Sequence, residues 1–119
     1  MADKLIQYVL IRKDLLADPK WSIGSLIAQG SHACVAAVAT TLSQSETTAY
    51  ISDTANMTKT VLGVDDTQQL LEMSEKLTAE RIPHYLWTEQ PENIPTALAT
   101  APQLKSILSR FFKHLKLLK

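Results

Sequence analysis

The stretch KTVLGVDDTQQLLEMSEKLTAERIPHYLWT, residues 59–88, decides the fold. It starts with a short apolar run rich in β-branched residues, Lys59–Val64, which reads as a strand. Asp65 or Asp66 then caps a helix that continues to about Glu80. Asp66 and Gln69 have the spacing of a capping box, in which side chains satisfy the unpaired backbone N–H groups of a helix start. Leu70, Leu71, Ser74, Leu77 and Thr78 share the face predicted to turn inward. Pro83 opens the next strand, His84–Thr88.

Outward from this unit the same alternation continues. Leu5–Ile11 is short, β-rich and bounded by charges, so it reads as a buried strand. Arg12–Trp21, with Asp18-Pro19, reads as a loop. A long helix is predicted from Ile23 to Leu42, capped by Ser22. Its expected core face holds Ile23, Leu26, Ile27, Gly30, Cys34, Ala37, Val38 and Thr41. Ser45–Asn56 is predicted as a second helix. Glu89–Pro95 is a turn-rich loop, and Thr96–Ala101 is a fourth strand. Pro102 starts a predicted C-terminal helix carrying Leu104, Ile107, Leu108, Phe111, Phe112 and Leu115. The pattern predicts an α/β three-layer sandwich: one domain, residues 1–119, with a small mixed four-stranded sheet and helices on both faces.

Composition narrows the function classes. The only cysteine, Cys34, excludes an internal disulfide and fits a reducing compartment. Met1–Lys4 lack the apolar run of a signal peptide, and Leu5–Ile11 is too short to cross a bilayer, so a soluble cytoplasmic protein with no membrane partner is expected. Net charge is +0, yet it is unevenly spread. Residues 44–92 carry nine acids and three bases, whereas residues 93–119 carry five bases and no acid. A basic end of this kind can face a polyanion, or simply form a solvated basic helix that complements its own dipole.

The long helix carries the pattern closest to a site. At about 100° per residue, Ser25, Gln29 and His32 form one polar stripe with Ser22 beside it, starting where unpaired N–H groups favour an anion. Outward-facing polar residues on an amphipathic helix explain the same stripe without any site. His32 and Cys34 point to different helix faces, and the three histidines lie far apart in sequence, so no metal is expected. The three glycines make no phosphate loop, and no cofactor is expected. Glu89 and Glu92 read as solvated loop charges, Tyr85 and Trp87 as sheet packing, and Phe111–Phe112 as the docking face of the last helix. Ser25 at a helix start would suit a small-acyl esterase, but no base accompanies it at helical spacing.

Taken together, these motifs resemble a known family. Ile11-Arg12-Lys13-Asp14-Leu15 resembles the strand ending in Val-Arg-x-Asp-Leu of archaeal/eukaryotic-type peptidyl-tRNA hydrolases. Gly24 through Ala33 resembles their Gly-Lys-x-x-Ala-Gln-x-x-His-Ala helix start, and Thr88 through Pro102 their closing stretch, with Thr88 and Thr96 on its two threonines. The stretch Leu86–Ile94 is closer to a divergent branch of proteins containing such a domain. The resemblance implies hydrolysis of the ester between a peptide and tRNA, with peptidyl-tRNA or another acylated tRNA as partner. It also implies a homodimer, since relatives with this fold are often dimeric. Gln29, Thr88 and Thr96 would be catalytic, while Arg12, Lys13, Asp14, Lys20, Gly24 and His32 would bind substrate. Two positions depart from the family: its catalytic lysine is Ser25 here, and its key aspartate is His84. A hydroxyl replaces an ammonium donor, and an imidazole becomes the candidate base. The same departures fit a second expectation, a non-catalytic module that binds tRNA or a protein through the same groove.

Overall fold

The computed structural model describes residues 3–119. Its main strands are β1 (Leu5–Arg12), β2 (Thr58–Val64), β3 (His84–Glu89) and β4 (Ile94–Thr100). Its main helices are α1 (Ile23–Ala39), α2 (Ser45–Ser52) and α3 (Thr67–Ala79). Two short strands, β5 (Gln103–Leu104) and β6 (Lys116–Leu117), flank a one-turn helix α4 (Lys105–Leu108). The sheet therefore has six strands, not the expected four. The path runs β3-β4-β1-β2-β6, with β5 paired to β1. β1 and β2 are parallel and the other pairs antiparallel, so the sheet is mixed as predicted.

The extra strands come from the segment expected to be one long C-terminal helix. Only Lys105–Leu108 is α-helical, and a single 3-10 turn, Ser109–Phe111, follows it. Leu108, Phe111 and Phe112 are all buried within those two turns, and Phe112 lies against Tyr8 with ring centroids 4.7 Å apart. Once these three are seated, the rest of the chain lies along β2, where the Leu118 N–H donates to the Val61 carbonyl at 3.1 Å. Backbone pairing then satisfies groups that a helix would have paired internally.

Alternation along β1 sets the two cores. Ile6, Tyr8 and Leu10 pack with Leu70, Met73 and Leu77 of α3 and with the C-terminal aromatics. Val9 and Ile11 face the other way, against Leu26, Ala33, Cys34 and Ala37 of α1 and Ala97 and Ala99 of β4. Caps match the sequence: the Ser25 N–H donates to Ser22 Oγ at 3.0 Å, and the Gln69 N–H to Asp66 Oδ1 at 2.9 Å. The segment expected as a loop after β1 contains a 3-10 turn, Lys13–Ala17, which buries Leu15.

Helix α1 is rotated from its predicted pose. Ile23 and Ile27, expected in the core, are 71% and 65% exposed, whereas Gln29, expected on the outer stripe, is 2% exposed. Small residues explain the turn. Ala33 and Ala37 on the helix meet Ala97 and Ala99 on β4, so the helix settles deeply over β4 and carries Gln29 inward. Contact is also close at Gly30, where an added Cβ would lie 3.3 Å from the Ile11 Cδ1. Leu70 is fully buried in the opposite core. Replacing it with alanine is expected to lower the unfolding free energy by about 2–5 kcal/mol, measured by urea denaturation.

Candidate functional site

The candidate site forms where α1 crosses the β3–β4 hairpin. Along β3, Tyr85 and Trp87 pack on the α1 side while Leu86 packs on the α3 side. The same alternation turns Glu89 toward α1. On β4 the alternation is broken. Trp87 pairs with Ala97 but Thr88 pairs with Pro95, so Thr96 is the extra residue of a bulge. Pro95 cannot donate to the ladder and is suited to that irregularity. The bulge lets Thr96 point to the same side as Ala97, into the helix.

There a buried amide joins two strands. Thr96 Oγ1 donates to Gln29 Oε1 at 2.8 Å, and Gln29 Nε2 donates to Glu89 Oε2 at 3.1 Å. The carboxylate can only accept, so the NH2 end of Gln29 must face Glu89 and its oxygen must face the threonine hydroxyl. Trp87 Nε1 donates to the other carboxylate oxygen, Glu89 Oε1, at 3.2 Å. The His32 ring stacks on Trp87, centroids 4.5 Å apart and planes 15° from parallel. The hydrogen bond from Gln29, then that from Trp87, holds the Glu89 carboxyl below its ordinary value, with a smaller contribution from the nearby His32.

The other expected site residues fall in three places. Ser25 lies one turn before Gln29 at the exposed start of α1, its Oγ 3.0 Å from Ser22 Oγ, with Gly24 beside it. Arg12 is committed to the framework: it grips both oxygens of Asp14 and donates to the Pro95 carbonyl at 3.0 Å, tying the end of β1 to the β4 bulge. Lys13 pairs with Asp65 at 2.9 Å in solvent, and Lys20 is exposed.

His84 is not brought to Gln29. It pairs with Thr100, at the far end of the hairpin, and it faces α3. Its Nδ1 lies 2.8 Å from the Ile82 carbonyl, which can only accept, so Nδ1 carries the proton. Nε2 then receives the Ser74 hydroxyl at 2.8 Å, which leaves no lone pair for a substrate. Thr88 shares the strand face of His84 and Leu86 by alternation, and its hydroxyl makes no hydrogen bond among the described residues. In place of these two, the cluster includes Glu89 and Trp87, which sequence reasoning assigned to solvent and to sheet packing. Their signal was present, because residues 85, 87 and 89 alternate onto one face once β3 runs to Glu89. No group of three or more potential ligands able to hold a metal occurs among the described residues.

Fold and site together define a class: an α/β protein whose polar centre lies between its first long helix and an edge hairpin. The chain belongs to the peptidyl-tRNA hydrolase PTH2 family, whose model matches residues 5–118. It is 40% identical over 116 residues to the human protein named "Putative peptidyl-tRNA hydrolase PTRHD1", covering 97% of this chain and 83% of that one. The mouse protein of the same name gives the same identity and coverage.

Because the folded carboxyl of Glu89 sits below its unfolded value, its contribution to stability is present above the unfolded pKa and disappears as pH falls through the folded one. An NMR titration is expected to place Glu89 below ordinary glutamates, and Gln29→Ala is expected to move it upward. An unchanged Glu89 titration in that variant contradicts the assigned bond.

Proposed function

We propose that this chain hydrolyses the ester linking a peptidyl, or another N-blocked aminoacyl, group to the terminal ribose of tRNA. The observation that carries this reading is the buried Gln29 amide, fixed between Thr96 and Glu89. Gln29 and Thr96 fall on family motif positions, and the chain's membership in that family supports the substrate class.

In the reaction, water attacks the ester carbonyl carbon and its proton passes to the His32 imidazole. Glu89 steadies the resulting imidazolium, and Gln29 with Thr96 keeps that carboxylate in place. The developing oxyanion is met at the start of α1 by backbone N–H groups and the Ser25 hydroxyl. The carbon–oxygen bond to the ribose then breaks, and the leaving oxygen takes the proton back from His32. Gly24 leaves room for the acyl group. Lys13, Lys20 and the basic segment after residue 93 attract phosphates, while Arg12 and Asp14 hold the hairpin in register. Such a role belongs to translation in the cytoplasm, and no helix among the described residues is long and apolar enough to cross a membrane.

One observation favours the second reading, a module that binds acylated tRNA without turnover. Ser25 offers a neutral donor already engaged with Ser22, where the family motif places a lysine.

Release of N-acetylated amino acid from tRNA separates the two. Wild-type turnover is expected, falling in Gln29→Ala by up to the roughly 10²–10⁴-fold that a positioned general base supplies, and rising in Ser25→Lys. Salt-sensitive tRNA binding with no turnover in wild type would establish the binding reading instead.

A further inference from the structure

Helix α1 covers only part of its sheet face. On the flank away from Gln29, a groove of about 740 Å³ runs between α1, α2 and the face of β1 and β2 that α1 leaves uncovered. Its volume lies within the range of small-molecule sites. The walls include Ile27, Val35, Val38, Ile51, Met57 and Val61. Ile27 and Val35 are 65% and 69% exposed, so α1 presents an apolar strip to solvent here.

One polar device interrupts this lining. Gln7, in the middle of β1, is completely buried. Its Nε2 donates to the Cys34 carbonyl at 3.1 Å, and its Oε1 accepts from Lys59 Nζ at 2.6 Å. Lys59 also donates to the Tyr50 hydroxyl at 3.1 Å and lies over the Tyr50 ring, 5.1 Å from its centroid. An ammonium has three N–H groups. Two are thus fixed on the groove floor, and the third has no partner among the described residues. Burying an amide in a strand costs free energy unless both ends are engaged, and here its outer end orients a cation. Among the described residues, the only charged side chains lining the groove are Lys59 and Lys119, and no carboxylate side chain lines it.

We propose that this groove binds a long-chain carboxylate, with the acid group on Lys59 and the tail along Val61, Val35 and Ile27. Charge selects this occupant over a second copy of the chain. A twofold interface would set the patch against itself, bringing two Lys59 ammonium groups together with no acidic side chain among the described lining residues. A carboxylate supplies the missing charge, and its tail covers the strip. The proposal is independent of the ester hydrolysis above, because Lys59 lies on the other flank of α1.

Calorimetric titration of the full chain with decanoate, beside decanol, tests it. Saturable one-to-one decanoate binding is expected, weakened about tenfold or more by Lys59→Met, with decanol insensitive to that change. Val35→Glu, at an exposed position that tolerates the substitution, is expected to abolish decanoate binding without lowering the melting temperature. Hydrolysis by Lys59→Met is expected to match wild type. No saturable binding, or equal affinity in both variants, overturns the proposal. So does a concentration-dependent dimer that Val35→Glu dissociates, which would make the groove a self-interface.

Discussion

Helix α1 sits on β4 through alanine against alanine, and that close approach determines where everything polar on this face can go. Ala33 and Ala37 meet Ala97 and Ala99 with almost no exposed surface between them. Larger side chains would lift the helix by a methylene or two, and interiors packed to crystal-like density do not absorb such a change freely. With the helix seated deeply over β4, Gln29 has no route to solvent and must find partners inside. Thr96 and Glu89 supply them. The same seating draws α1 off β2, leaving Ile23, Ile27 and Val35 in water. One packing choice thus creates both a buried polar centre and an open apolar groove.

Most of the framework was legible because it follows periods that sequence displays directly. The four main strands, the capped starts of α1 and α3, and the mixed α/β architecture all emerge from apolar spacing and cap chemistry. The errors have local causes. A strip of Leu104, Ile107, Leu108, Phe111 and Phe112 looks like a long amphipathic helix, but two turns suffice to bury its three essential members. On α1, apolar bulk points to Ile23 and Ile27 as the core face, yet these two are exposed and the alanines are buried. Shape decided instead: small residues win when the opposing strand is also small.

The site was legible in part. Gln29 and Thr96 were named from family motifs, and the structure joins them by a 2.8 Å hydrogen bond. Nothing in strict strand alternation predicts that meeting, because Thr96 and Leu98 would normally share a face. A one-residue bulge reverses Thr96, and Pro95 is its only trace in the sequence. From the sequence Glu89 reads as a solvated loop charge, whereas β3 continues through it. His84 shows the converse. Its motif position pointed to the site, but a carbonyl and a hydroxyl hold both ring nitrogens on the α3 side. Motif position alone does not fix which way a strand residue faces.

Two buried glutamines express the division that α1 imposes. Gln7 and Gln29 are 0% and 2% exposed, and each spends its amide on a charged side chain at the protein surface. Gln7 anchors a cation, Lys59; Gln29 anchors an anion, Glu89. A buried amide is neutral, so either choice avoids burying a charge, yet each amide orients its partner more firmly than water could. The consequence is an oriented carboxylate, Glu89, on one flank of α1 and an oriented ammonium, Lys59, on the other. The two amides thus fix charges of opposite sign on the two flanks of one helix, and each charge stays at the surface because its neutral anchor is the group that is buried.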